Sequence, residues 1–292
     1  MHFFRGCDDC HLPFQPLTSR TGVGSSAHVL QVQPLLVKNI TVDEPTIILI
    51  RHGTKIIRWA RNEIELTAGD AVIVGEGESF DIINTPCPLS GTYEADWLSF
   101  SSEVVTGYTC RNSGYYKINE AYALEATSES FRNSFYHTAD VFTDSASIPD
   151  ALAIGRMYEM LGWLDEYGIC FGAHLRNGIE RKIRRLISSD ASHIWNIKHV
   201  ASQLGISEAR LRRKLTAENT SFSKLITDVR MCRALTLLQV TDLTVTQISF
   251  EVGYESPSKF SSRFRHRFGF SPGQIRERMT TMGTQTTLTR EI

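Results

Sequence analysis

The chain has no apolar run approaching the 18 or so residues that a membrane-crossing helix needs. Its N-terminus, Met1-His2-Phe3-Phe4-Arg5, lacks the basic stretch followed by an apolar core that marks a secretory signal. These absences set aside a membrane partner and export, and the expected compartment is the cytoplasm. Cysteine is sparse: six residues, at positions 7, 10, 87, 110, 170 and 232, with one closely spaced pair. Cys7-Asp8-Asp9-Cys10-His11 has the spacing of a haem-attachment site, but that chemistry normally accompanies export. A zinc site needs about four ligands, and no second close pair is available. Reduced thiols near the chain terminus are the plain expectation, and no cofactor is expected. Tracts of disordered composition are also missing. With 41% hydrophobic and 22% charged residues in 292, the chain is globular and long enough for two cores.

What is present is an uneven charge. Residues 193–292 hold 15 Lys/Arg against 8 Asp/Glu, a net +7, while residues 1–192 hold 16 against 24, a net −8. A basic C-terminal third beside an acidic remainder suggests a polyanionic partner for one domain only.

Residues 1–27 are rich in Gly, Pro, Ser and Thr without periodicity and read as an irregular lead-in. From His28 to about Phe100, short β-rich runs alternate with Gly and Pro. Thr46-Ile47-Ile48-Leu49-Ile50 and Lys55-Ile56-Ile57-Arg58-Trp59 flank Gly53 and read as a hairpin. Such closely spaced short strands indicate a small antiparallel barrel or sandwich. Helical periodicity follows, in part of residues 118–136 and clearly over 151–167 and 173–188. The last of these places Leu175, Ile179, Ile183 and Leu186 on one face, with Arg176, Arg181, Lys182, Arg184 and Arg185 outward. These helices could pack on the barrel or on their twins in a homodimer. Residues 188–192, small and polar, are the linker candidate.

Residues 195–276 carry two helix-turn-helix patterns in tandem. In the first, Asn196 caps a helix with Ile197, Val200, Ala201 and Leu204 on one face; Gly205 turns the chain, Ile206 fills the turn, and Ser207 caps the next helix. There Leu211 and Leu215 face inward, and Glu208, Ala209, Arg210, Arg212, Arg213 and Lys214 face outward. Four cations on so short a helix suit a major groove, although a merely solvated basic face has the same composition. The second pattern has Val245, Ile248, Phe250 and Val252 in its first helix, with Thr244 or Asp242 as cap, and Gly253 and Tyr254 in the turn. Ser256 caps a second helix that opens with Pro257. Phe260, Phe264 and Phe268 form its inner stripe, and Ser258, Lys259, Ser262, Arg263, Arg265 and Arg267 lie off it. Residues 222–240 read as one connecting helix, about 28 Å long, against a spacing of about 34 Å between adjacent major grooves.

These residues resemble the AraC/XylS family of bacterial transcription regulators. The resemblance runs through Val200-Ala201, Leu204-Gly205-Ile206-Ser207, Leu211, Arg213, Ser221-Phe222, Arg230, Ala234 and Leu237-Leu238. It continues through Val245, Ile248, Gly253-Tyr254-Glu255-Ser256, Phe260-Ser261, Phe264-Arg265, Phe268-Gly269, Ser271-Pro272 and Arg276. The wording of residues 207–215 and 220–231 is most similar to the enterobacterial acid-resistance and virulence regulators. Ser249 and Ile275 depart from the pattern, where alanine and an aromatic are usual. The resemblance implies an α+β chain in which a cupin-like regulatory and dimerisation domain (28–188) precedes an all-α DNA-binding domain (193–281) of two helix-turn-helix units on a long helix. It implies a non-enzymatic, sequence-specific regulator, an activator that recruits RNA polymerase to a promoter. Ala209, Arg212 and Arg213 would face bases in the first reader, and Ser258, Lys259 and Ser262 in the second. The remaining cations, Arg210, Lys214, Arg263 and Arg265 among them, would touch phosphates.

The β-rich half also resembles the family's cupin-like domain, most clearly at Gly69-Asp70 with Val72-Ile73-Val74. Enzymatic cupins hold metal through an H-x-H and a following Glu, and none of the nine histidines has that spacing. A cupin-type metal or redox sensor, or an enzyme, fused to a DNA reader is therefore the alternative. Small barrels can hold one small ligand, and in this branch the resemblance implies a fatty acid, a small anion, or a response with no identified ligand. Lys38, Arg51, Lys55 and Arg58 are the candidate effector-binding cations, although each could be an ordinary exposed strand residue.

Overall fold

A computed structural model describes residues 17–111, 114–143, 147–172 and 178–279. The first half contains β1 (Thr18–Arg20), β2 (Gly24–Gln31), β3 (Leu35–Thr41), β4 (Thr46–His52), β5 (Thr54–Trp59), β6 (Asn62–Leu66), β7 (Ala71–Val74), β8 (Ser79–Thr85) and β9 (Tyr93–Phe100). There follow α1 (Ser102–Gly107), β10 (Tyr116–Ile118), β11 (Ala121–Leu124), α2 (Glu129–Thr143), α3 (Asp150–Glu166) and β12 (Ile169–Phe171). One sheet has the order β1-β2-β9-β4-β7-β11 and a second the order β3-β8-β5-β6, while β10 and β12 form a parallel pair.

The unbroken apolar run of β4 follows from burial on both faces. Ile50 packs between the sheets with Val72, Ile57 and Phe80. Ile47 and Leu49 point the other way, into an outer core formed with Phe131 and Phe135 of α2 and Met157, Leu161 and Leu164 of α3. The helical extension thus covers the outside of one sheet.

Three local expectations change. The expected lead-in is strand from Thr18, because Ser25 and Ser26 align with Ser99 and Leu98 of β9 and gain a complete ladder despite weak β propensity. The runs around Gly53 are not a hairpin: β4 and β5 belong to different sheets. Gly53 turns the corner at φ 80°, with the Thr85 carbonyl only 2.4 Å from where a Cβ would stand. Residues 121–124 are strand, and the helix expected across 118–136 begins only at Glu129.

The second half comprises α4 (Ile179–Ser189), α5 (Ile197–Gln203), α6 (Glu208–Ala217), α7 (Phe222–Val240), α8 (Val245–Glu251), α9 (Pro257–Phe268) and α10 (Pro272–Met279). Here α4 packs on the helices that follow it. Ile179, Ile183 and Ile187 pack with Val200, Ala201, Leu211, Leu215, Leu225 and Val229, so the apolar face of α4 joins the core of the first reader. Glu218, just past α6, accepts from the free backbone N–H groups of Ile179 (2.9 Å) and Glu180 (2.7 Å) and so caps α4. The second reader forms a separate core with α7, and Leu35 and Val37 of β3 enter it. In return Val240 of α7 enters the core between the sheets. No helix among the described residues is long and apolar enough to cross a membrane.

Candidate nucleic-acid interface

Each reader helix starts from a side-chain cap. Asn196 accepts from the His199 N–H, Ser207 from Arg210, Ser221 from Lys224 and Ser256 from Lys259. Thr244 and Gln247 form a reciprocal capping box at α8. The turns rely on glycine: Gly205 at φ 65° and Gly253 at φ 75°. At Gly253 a Cβ would come within 2.9 Å of the Ser192 carbonyl and 2.5 Å of the Arg230 guanidinium. That guanidinium threads the middle of the domain, donating to the carbonyls of Ala191 (3.0 Å), Gly253 (2.9 Å) and His193 (2.9 Å). It therefore fastens the short segment after α4 to the second turn, and residues 190–192 act as a strut rather than a slack linker.

Local packing turns the expected groups outward. Leu211 and Leu215 of α6, and Phe260 and Phe264 of α9, are buried. Ala209, Arg210, Arg212, Arg213 and Lys214 on α6 are exposed, as are Ser258, Lys259, Ser262, Arg263 and Arg265 on α9. Arg212 lies 3.8 Å from Glu208 one turn back, a contact of little energetic weight on an open surface. Both helices are mounted on the 19-residue α7. Ser249 is fully buried and donates to the Thr246 carbonyl at 2.7 Å, so a small residue suits this tight contact.

Two placements differ from expectation. Phe250, expected on the inner face of α8, is 53% exposed. Arg267, expected on the outer face of α9, turns back to Asp228 Oδ1 (2.8 Å) and to the carbonyls of Lys38 (3.1 Å) and Asn39 (2.5 Å). The carbonyls come from a bulged stretch of β3 where Asn39 has φ 56°. One turn of the second reader is thus held by the barrel.

Asp228 is the centre of this junction. Its other oxygen, Oδ2, accepts from Arg184 (2.8 Å), whose Nε donates to Asp43 Oδ1 (2.7 Å) in the loop after β3. Arg184, expected outward, is 4% exposed. Burial alone would lower its pKa, but the carboxylates of Asp43 and Asp228 outweigh burial and raise it, so the guanidinium stays charged. Nearby, Glu76 receives Arg185 through both oxygens (2.6 Å each), and its carbonyl receives Arg181 (2.8 Å). Sequence reasoning missed this cluster. One signal was available: Asp228 is the sole acid in α7. Nothing in the spacing of Arg181, Arg184 and Arg185 shows which of them turns inward.

The four candidate effector cations are not brought together. Lys38 is exposed. Arg58 pairs on the surface with Glu63, its cross-strand neighbour. Arg51 lies on the sheet face under α2, 3.8 Å from Asp96, which also accepts from His28 at 2.7 Å. Lys55 alone points into the barrel, 5% exposed, where its ammonium donates to Asn84 Oδ1 (2.9 Å) and the Tyr93 hydroxyl (3.4 Å). Gln31 closes the network on Asn84, and the next residue, Val32, donates its N–H to the Arg278 carbonyl of α10. Burial pulls the Lys55 pKa down to about 7. Cys7 and Cys10 lie outside the described residues.

Residues 200–278 match a family model described as a helix-turn-helix domain. Over 98 residues the chain is 39% identical to the porin thermoregulatory protein EnvY of Escherichia coli K12, covering 34% of this chain and 39% of EnvY. Over 108 residues it is 39% identical to the HTH-type transcriptional regulator AdiY of the same organism, covering 36% and 43%. The chain therefore spans less than half of either relative. A crystal structure of an apo ToxT variant from Vibrio cholerae superposes with a TM-score of 0.64 over 88% of this chain and 98% of that one, at 14% identity. That likeness extends the shared fold through both halves. The readers define a helix-turn-helix DNA-binding unit. The match falls on the same residues that carry the resemblance read from the sequence.

Proposed function

We propose that this protein is a sequence-specific DNA-binding transcription regulator, non-enzymatic, that activates promoters by recruiting RNA polymerase. One observation carries the reading: two capped, cation-bearing helices stand on a single rigid helix with their basic faces open to solvent. Helical rise gives α7 a length of about 28 Å, close to the spacing of about 34 Å between successive major grooves. The first reader, with its arginines, supplies most base discrimination, and the second, with Ser258, Lys259 and Ser262, mainly positions. Titration of a promoter fragment against excess nonspecific DNA at fixed salt is the test. Specific binding should exceed nonspecific binding by about 10³-fold or more, and equal affinities would reduce the protein to a general DNA binder.

The barrel half is proposed to sense a small anion or fatty acid, to form a homodimer, or both. Lys55 supports the sensing role. A buried ammonium with no carboxylate bonded to it among the described residues burdens the fold, and a ligand carboxylate would supply the missing charge. A ToxT crystal structure of the same fold is described as bound to an unsaturated fatty acid. The folded Lys55 pKa, about 7, lies below its ordinary value of 10.5. The unfolded chain therefore binds the extra proton between those values, and stability rises with pH across that window. Lys55→Met should raise stability at pH 7 by about 1–4 kcal/mol and flatten that rise. Urea unfolding at pH 7 and pH 9.5 reads both, and an unchanged pH slope in Lys55→Met would show that Lys55 does not carry it. An anionic effector docking at Lys55 should take up protons near pH 8, visible as a buffer-dependent binding heat.

A further inference from the structure

Cys110 and Cys170 play no part in the readers or in the Lys55 network. Cys110 sits on the half-exposed segment after α1, and Cys170 is the middle residue of β12, 7% exposed. They lie 60 positions apart in the chain yet face the same small cavity. Both line a cavity of about 20 Å³ that also touches Tyr108, Leu161 and Asp165, with room for one water-sized molecule. One wall is polar: Asp165 Oδ2 accepts from the Tyr108 hydroxyl (2.6 Å), and Asp165 Oδ1 is buried with no donor among the described residues. A peroxide fits such a space, whereas a peptide disulfide does not.

We propose that Cys110 and Cys170 are a modification site that hydrogen peroxide converts to an intramolecular disulfide. The more exposed Cys110 is the attacking thiol. Its sulfur takes one peroxide oxygen, the O–O bond breaks, and hydroxide leaves, giving a sulfenic acid. The Cys170 sulfur, losing its proton to solvent, then attacks the Cys110 sulfur; the S–O bond breaks and the second oxygen leaves as water. Two thiols lose two electrons, and one peroxide becomes two waters. The new bond ties the segment after α1 to β12, closing a loop that contains α2 and α3.

The surroundings set the speed. Burial, and then contact with the second thiol, push Cys110 up to about 11, so little of it is thiolate at neutral pH. Crosslinking should therefore accelerate about tenfold per pH unit from pH 7 to pH 9. Cys87 provides an internal reference, because backbone N–H groups of Ser90 and Leu89 lower its pKa. The experiment exposes the reduced full-length protein to hydrogen peroxide over a pH series, then maps peptides by mass spectrometry after quenching free thiols. The expected product is a Cys110–Cys170 linked peptide, reversible by dithiothreitol and absent from Cys110→Ser. The oxidised protein should melt several degrees higher, since a long loop is closed. The proposal is overturned if peroxide consumes Cys87 but leaves both thiols free, or drives Cys110 to sulfinic acid without the link. Because the linked peptide is sought in the unmutated chain, a poorly folding variant cannot obscure the answer.

Discussion

Arg184→Met is expected to weaken the junction between barrel and reader by about 2–4 kcal/mol. The change removes the cation that Asp43 and Asp228 share among the described residues, leaving Asp43 with only the Ser188 hydroxyl and Asp228 with Arg267. Most of the loss comes from stranded charge rather than from missing attraction, because breaking a buried pair costs more than never having built it. Neutralising the acids should therefore rescue it: Arg184→Met with Asp43→Asn and Asp228→Asn should recover most of the stability. Hydrogen exchange locates the effect, with faster exchange in α4 and in the loop after β3 while the outer core of α2 and α3 is unchanged. Unaltered exchange in α4 would mean that its three isoleucines alone secure it. Arg267 offers a second hold on the same carboxylate, so the two arginines should couple in a double-mutant cycle.

Arg213→Ala should lower affinity for a specific site by about 5- to 150-fold, the 1–3 kcal/mol carried by a bidentate arginine–guanine pair. The side chain is exposed in the free protein, so its removal leaves the helical circular dichroism and the melting temperature as they were. Lys214→Ala is the matched control. Without that ammonium on a phosphate, binding should weaken alike for every sequence and the salt slope should fall by about one. A footprint unchanged by Arg213→Ala would place the base-reading register elsewhere on α6.

Much of the reader is legible from sequence. The bounds of α7, the caps Asn196, Ser207 and Ser256, and the glycine turns are each written within a few consecutive residues, because capping and amphipathic periodicity are local. The outward set on α6 and α9 follows from the same periodicity once Leu211, Leu215, Phe260 and Phe264 are assigned inward. Periodicity fails where its assumption fails. Phe250 is apolar and exposed, and Arg184 is charged and buried, since each answers to a neighbour or to open solvent beyond its own helix. The strands are recognisable as strands, yet the corner at Gly53 is not, because a glycine turn looks the same whether its two strands pair or part.

By itself, the sequence determined the presence of a two-reader DNA-binding unit, the residues that face outward from it, and the strand-rich character of what precedes it. Only tertiary structure decided that α4 belongs to the reader, that Arg267 is held by the barrel, and that Lys55 alone of four candidate cations is buried. The physical reason is separation along the chain. A cap and its N–H lie three positions apart, whereas Arg184 meets Asp43 across 141 positions and Arg267 meets the Lys38 carbonyl across 229. Contacts of that span exist only once the whole chain has folded back on itself, and no local pattern carries them.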